Sequence, residues 1–246
     1  MSVKEDLASL LKELRLPDIM KSYEDIAEYA TKESLSYEEF LLEVVRSEAS
    51  QKKSRRVEKL KKESRLPLGK GFESYDLKRL TSKLKQQVSI LRQGDFLNKQ
   101  ENILAFGIPG SGKSHLLCAI GFEMIEKGKR VLFTTCDDLV QDLLISKRDL
   151  KFSRKQKALD KYHAVIVDDI GYVQRTREEM EVLFSFLAHR YERGSVMITS
   201  NLPFSKWDAI FKDKMTAAAA IDRLVHHSVI LEMNLPSYRT EGKGGS

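Results

Sequence analysis

Gly107-Ile108-Pro109-Gly110-Ser111-Gly112-Lys113-Ser114 fills every fixed position of the pattern G-x-x-x-x-G-K-[ST]. The pattern describes a phosphate cradle. Its glycines let backbone N–H groups approach phosphate oxygens, and a helix opening at the lysine adds the positive end of its dipole. Lys113 is expected to neutralise the β- and γ-phosphates of a nucleotide, and the Ser114 hydroxyl to coordinate Mg²⁺. Such a cradle works only between a strand and a helix. The apolar run Ile103–Phe106 precedes it and an apolar-striped stretch, 113–127, follows, so both flanks fit.

Four more short β-prone runs lie downstream: Val131–Thr135, Ala164–Val167, Val196–Thr199 and Val229–Leu231. They alternate with helical stretches near 137–146, 176–193 and 216–226. Near-continuous apolar strands separated by helices predict an α/β fold, a parallel sheet covered on both faces. The Ala164–Val167 run ends in Asp168-Asp169. Adjacent carboxylates at the end of a buried strand repel one another unless a cation offsets them. Asp168 is therefore expected in the Mg²⁺ shell, and Asp169 is expected to orient or deprotonate the attacking water. Helix N-capping is the alternative for Asp169, since Gly171 and polar residues follow.

One strand lies between the phosphate-loop strand and the Asp-Asp strand, and the next, Val196–Thr199, ends in Ser200-Asn201. That is the added-strand layout of hydrolytic ATPases, and it points to Asn201 as a holder of the water or the γ-phosphate. Arg223, in the alanine-rich stretch before the last strand, is placed to reach a neighbouring subunit's γ-phosphate. The bland reading of Arg223 is a surface pair with Asp222, worth little. Arg239, in Ser237-Tyr238-Arg239, is a second nucleotide-facing candidate, and His115 lies on the helix surface or the adenine side. Phe72 and Tyr75 are candidates to border the adenine.

The chain has 246 residues, 41% of them hydrophobic, enough for a sizeable core. No run approaches the length of a transmembrane helix, and the acid-bearing first residues are no secretory leader, so a cytoplasmic protein without membrane contact is expected. Cys118 and Cys136 alone make neither a zinc site nor a disulfide framework. Charge is segregated. Residues 1–45 carry net −6 and residues 46–65 net +6. The acidic part has helical apolar stripes at Leu7, Leu10, Leu11, Leu14 and from Ile19 to Ala30, with a Ser36-x-x-Glu39 capping box opening a third helix. Pro67–Gly71 reads as a linker, which gives a helical domain over 1–66 and an ATPase domain over 67–246. A second basic stretch, 147–161, carries net +5. Lys52, Lys53, Arg55 and Arg56 in the first stretch, and Lys147, Arg148, Lys151, Arg154 and Lys155 in the second, are expected to contact DNA phosphates, though charge runs are more often just solvated faces. Without a recognition element, such contacts should be largely independent of sequence.

GIPGSGKSH, AVIVDDIGY, ITSNLPFSKW, DRLVHHS and the terminal SYR together resemble the IstB-like AAA+ ATPases, over essentially the whole chain. Members are helpers of insertion-sequence transposition and are similar to the helicase loader DnaC and the initiator DnaA. The resemblance implies an AAA+ P-loop ATPase domain with a five-stranded parallel sheet in the order 5-1-4-3-2, joined to a small all-α N-terminal domain. It further implies a homo-oligomer that forms on double-stranded DNA with ATP, remodels it, and recruits and stimulates an IstA-like transposase. On it, Gly107–Ser114 match the Walker A loop, Asp168-Asp169 the Walker B acids, Asn201 sensor 1 and Arg223 the arginine finger. Asp169 stands where many AAA+ proteins have Glu, and no separate C-terminal lid follows the last strand, which leaves Arg239 as the candidate for sensor 2. A DnaC-like helicase loader is the alternative. A small-molecule kinase fits less well, because Asp-Asp and Ser-Asn end successive strands and no Arg-rich lid is present.

Overall fold

Five short strands among the described residues order the larger part of the chain: β1 (Asn102–Phe106), β2 (Val131–Thr135), β3 (Ala164–Asp168), β4 (Ser195–Ser200) and β5 (Ser228–Glu232). The computed structural model describes residues 2–171, 176–202 and 224–238. Arg223, Arg239 and the stretch around Trp207 lie outside the described residues, as does most of the helix expected at 216–226. The sheet order is β2-β3-β4-β1-β5 and every pairing is parallel, the order and direction the family resemblance implied. Polar residues extend four of the five apolar runs, because backbone pairing continues through Asn102, Asp168, Ser195, Ser200, Ser228 and Glu232.

Parallel strands need helical crossovers, and these cover both faces. On one side α7 (Cys136–Arg148) and α9 (Arg177–Arg190) pack on Leu104, Val165, Val167, Val196 and Ile198. On the other lies α6 (Lys113–Glu126), where Leu116, Leu117, Ile120 and Met124 are fully buried. Side chains two apart share a face of a strand, so Asp168 points to the same side as Ile166, and Thr199 to the same side as Met197. A Cβ added at Gly121 of α6 would stand 3.0 Å from Ile166 Cδ1, which puts Asp168 and Thr199 on the α6 side.

One helical region was not anticipated from sequence. A helix, α4 (Ser82–Gln93), capped by Thr81 and ended by left-handed Gly94, buries Leu84, Val88 and Leu91, and the single turn α5 (Asp95–Asn98) follows it. The expected basic stretch 147–161 is the end of α7 plus a short helix, α8 (Phe152–Leu159).

The chain divides into two compact units, Met1–Lys59 and Leu60–Ser246. The division falls within a helix rather than at the Pro67 linker. In the first unit, α1 (Val3–Glu13) opens with a Ser2–Glu5 capping box, and α2 (Pro17–Lys32) starts at its proline, where the missing N–H costs nothing. The 28-residue α3 (Tyr37–Ser64) opens at the Ser36–Glu39 box and runs on into the second unit. α2 has no cap of its own. Glu48 of α3, only 4% exposed, accepts the Asp18 and Ile19 N–H groups at 2.8 and 3.1 Å instead. No helix among the described residues is long and apolar enough to cross a membrane.

Arg190 is the largest fully buried side chain described. Its guanidinium donates to the carbonyls of Leu159, Tyr162, His163 and Ser195 at 3.0–3.4 Å, tying the end of α9 to the entries of β3 and β4. Burial pulls its pKa down to about 10. Arg190→Met would remove the guanidinium from four carbonyls while keeping most of the volume; those of Leu159 and His163 keep the N–H groups of Tyr162 and Ser195 as partners. Chemical denaturation should read a loss of about 1–3 kcal/mol, the cost of the buried acceptors whose hydrogen bonding is reduced. A loss well below 1 kcal/mol would refute the assignment.

Candidate functional site

The C-terminal edge of a parallel sheet collects the strand ends, and here it collects the expected site. β1 runs into Gly107 and α6 leaves at Lys113, so the phosphate loop spans strand to helix. Two of its glycines are required by geometry. Gly112 is the N-cap of α6 at φ +92°, a left-handed conformation, and a Cβ there would meet the rings of Tyr238 and Tyr75 at 3.3 and 3.4 Å. At Gly107 a Cβ would overlap the Met233 carbonyl. That approach is close because β5 runs past the loop: Met233 N–H donates to Phe106 O at 2.7 Å, and Tyr238 N–H donates to Gly110 O at 3.0 Å.

Lys113 is 6% exposed, and its ammonium donates to the Gly107 and Ile108 carbonyls at 2.8 and 2.9 Å. A lysine held by its own loop stays within reach of whatever the loop cradles. The Ser111 hydroxyl is fully buried and finds no hydrogen-bond partner among the described residues. Ile108 and Pro109 are exposed, and Ser114 is half-buried in the first turn of α6. His115, in the first turn of α6, meets the segment from Gly71 to Tyr75. Its Nε2 lies 3.1 Å from both Ser74 Oγ and Gly71 O, and its ring meets Tyr75 edge-on at 5.1 Å. Tyr75 is 6% exposed, and burial raises its phenol pKa well above the ordinary value. Arg79 stacks on the Tyr238 ring 3.6 Å from its centroid and donates to Pro236 O at 2.7 Å. Two tyrosines thus flank the loop at Gly112. Phe72 stands one ring further out, 6.4 Å from Tyr75 and under the Arg92 guanidinium.

Asp168 ends β3, half-buried, and Asp169 follows at φ +63° with its side chain exposed. Both are tied to Thr199 of β4, a residue that sequence reasoning did not single out. Thr199 Oγ1 donates to Asp168 Oδ1 at 2.6 Å and accepts the Asp169 N–H at 2.9 Å. Ser200 accepts the Gly107 N–H at its carbonyl, at 3.3 Å, and its hydroxyl donates to Ile170 O at 2.8 Å. The end of β4 is therefore bonded to the phosphate loop on one side and to the acid turn on the other. The pair of hydroxyls closing an otherwise apolar run was the only sequence signal for this. Asn201 comes next, and its Oδ1 is buried without a hydrogen-bond partner among the described residues.

A second relation draws Asp168 toward the loop. Cys118 sits four residues after Ser114 on α6, hence on the same helix face. Burial pushes its thiol pKa up to about 12, and the Asp168 carboxylate is near enough to add to the rise. The Ser114–Cys118 face and Asp168 thus lie on the same side of the sheet. Arg223 and Arg239 lie outside the described residues, and nothing is placed for them.

Among the nine basic residues singled out for phosphate contact, Lys52 and Arg55 pair with Glu48, Arg55 also with Asp18, Lys147 with Glu181, Lys151 with Asp149, and Lys155 with Asp142. Lys53, Arg56, Arg148 and Arg154 are exposed.

Gly112→Ala tests the loop geometry. It forces an L-residue into the left-handed region and presses on two rings, so unfolding free energy should drop by about 1–2 kcal/mol. Affinity for a fluorescent ATP analogue should fall steeply in the same protein, and an unchanged affinity would show that the turn at Gly112 is dispensable.

Comparisons with known proteins agree with this edge. A family model described as IstB-like ATP binding protein matches residues 9–246. A protein of Sinorhizobium fredii named as an insertion sequence ATP-binding protein is 44% identical over 234 residues, 95% of this chain and 78% of that one. Another, from Geobacillus stearothermophilus and named for the insertion sequence IS5376, is 34% identical over 98% of this chain and 96% of that one. Among solved structures, AMPPCP-bound DnaA from Aquifex aeolicus shares the fold with a TM-score of 0.56 at 18% identity, over 70% of this chain and 52% of that one. DnaI shares it with a TM-score of 0.57 at 19% identity, over 69% and 95%. With the AAA+ sheet order, the phosphate loop at its edge and a family match over nearly its full length, the chain belongs to the IstB-like ATP-binding proteins of insertion sequences.

Proposed function

We propose that this chain is a Mg²⁺-dependent ATPase that assembles on duplex DNA as a homo-oligomer, remodels the duplex, and recruits and stimulates a partner transposase. The observation that carries the reading is the bonded edge: phosphate loop, β4 end and acid turn held together by Thr199 and Ser200. The insertion-sequence names of its relatives direct that ATPase edge toward transposition.

The residues present fit a hard dication. Ser114 offers a hydroxyl and Asp168 a carboxylate, all-oxygen donors of the kind Mg²⁺ takes alongside phosphate oxygens and water. Mg²⁺, when bound, neutralises charge on the β- and γ-phosphates. The loop N–H groups between Gly107 and Ser114 bind the phosphates, and Lys113 moves its ammonium from loop carbonyls to phosphate oxygens. Tyr75 and Tyr238 border the nucleoside end, with His115 behind Tyr75. Asp169 orients the attacking water and takes its proton, and Asn201 holds that water or the γ-phosphate. By sequence position, Arg223 serves the neighbouring subunit's site and Arg239 its own. The two basic stretches contact phosphates, and the segment 1–66 serves partner and DNA binding while 67–246 hydrolyses ATP.

A helicase loader would share this core but grip a replicative helicase with its first helices. Electron microscopy of the protein on long duplex DNA with ATP separates the two. Filaments or rings on the duplex, together with higher transposase activity, support the proposal, whereas capture of a helicase without duplex assembly overturns it. Lys113→Ala should abolish nucleotide binding, measured by titration with a fluorescent ATP analogue, and with it assembly. Asp169→Asn should bind ATP normally yet release no phosphate in a turnover assay. Duplex affinity should fall with added salt at a slope near −0.9 per phosphate contacted. A flat response would remove the basic stretches from the interface.

A further inference from the structure

The proposed function gives the acids a role but leaves open what aims them. Thr199 is fully buried in β4, paired in register with Ala105 of β1, and its backbone carbonyl accepts the Ile170 N–H at 2.9 Å. Its hydroxyl has one proton and can accept elsewhere. The Asp169 N–H can only donate, so Oγ1 must accept there, at 2.9 Å. The hydroxyl proton is thereby committed to Asp168 Oδ1, at 2.6 Å, a length typical of a hydrogen bond to an ionised oxygen. Threonine is stiff about χ1, so the group delivering this proton does not swing.

Resting on the cation site proposed above, we propose that Thr199 is the positioning residue of the acid pair. One hydroxyl occupies Oδ1 of Asp168, fixes the plane of its carboxylate and leaves Oδ2 as the oxygen a divalent cation takes. The same oxygen satisfies the N–H of Asp169 and steadies its left-handed turn at φ +63°, a conformation that is unfavourable for a non-glycine residue. The two acids are thus aimed by a single side chain on a third strand, so that a cation at Asp168 and a water at Asp169 keep a fixed separation.

Three full-length variants test this: Thr199→Val, of similar shape without the hydroxyl; Thr199→Ser, which keeps the hydroxyl; and Thr199→Cys, similar in size with only a weak donor, which is read if the valine variant does not fold. Mn²⁺ is the probe, titrated in the presence of ATP and followed by electron paramagnetic resonance, beside ATP affinity measured in EDTA. Removing a group that orients a metal ligand typically weakens metal binding about 10–100-fold. The valine or cysteine variant should show that loss, the serine variant should bind Mn²⁺ close to the parent, and metal-free ATP affinity should hold in all three. A valine variant that keeps parental Mn²⁺ affinity overturns the proposal. So does an equal fall in metal-free ATP affinity, the mark of a merely structural residue. Asp168→Asn separates this failure from that of the cation site: Mn²⁺ binding lost there but retained in Thr199→Val refutes Thr199 alone, while Mn²⁺ binding retained in both refutes the cation site as well.

Discussion

The parallel pairing of β4 between β1 and β3 is the constraint from which the site follows. Parallel register puts every C-terminal strand end on one edge. It sets Thr199 against Ala105 and Val167 against Ile198, so that the last residues of β3 and β4 and the first of the phosphate loop come level. Because alternate side chains face opposite sides, a slip of β4 by one residue would turn Thr199 away from α6 and from Asp168. The hydrogen bonds by which Thr199 and Ser200 hold Asp168, Asp169, Ile170 and Gly107 make such a slip costly, since these groups would lose their partners together. The same contacts that hold the sheet together therefore hold the chemistry in line.

Most of the fold was legible because the strands are short, apolar and punctuated. Val131–Thr135 is the strand itself, and Gly107–Ser114 sits between β1 and α6 as the motif requires. The ends of the other strands were hidden, since a ladder pairs backbone and is indifferent to the polarity of Asn102 or Ser228. α4 carries a Thr81 cap, a Gly94 stop and a Leu84–Val88–Leu91 stripe, but interleaved lysines and glutamines blur its period. Arg190 could not be found at all. Three of its four acceptors precede β3 and the fourth opens β4, and no spacing rule encodes a guanidinium that gathers carbonyls from separate segments.

The site was legible to the same depth. Motif residues declare themselves by type, whereas the residues that orient them declare themselves only when strands pair. Asp168 and Asp169 were visible as twin acids, but the hydroxyl linking them lies 30 and 31 residues downstream on another strand. Tyr238, 126 residues from Gly112, reaches it because β5 pairs with β1 and carries the chain past the loop.

The ion pairs sort the basic residues by what each would leave behind on meeting a phosphate. Arg55 pairs at 2.6 Å with an Asp18 side chain that is 12% exposed, and it approaches Glu48, whose side chain is 5% exposed and already caps α2. Drawing Arg55 away would leave Glu48 with Lys52 alone and the largely buried Asp18 carboxylate without its cation, and an uncompensated buried charge costs about 3–5 kcal/mol. Lys147 and Lys151 pair instead with Glu181 and Asp149, carboxylates more than half exposed to water. Such pairs contribute about 0–1 kcal/mol, and a phosphate can replace the carboxylate while water solvates what is released. The two basic stretches are therefore not equivalent. The proposed duplex contact falls more naturally on Lys147, Arg148, Lys151 and Arg154, at the end of α7 and the start of α8, while Arg55 is spent on holding its own unit together.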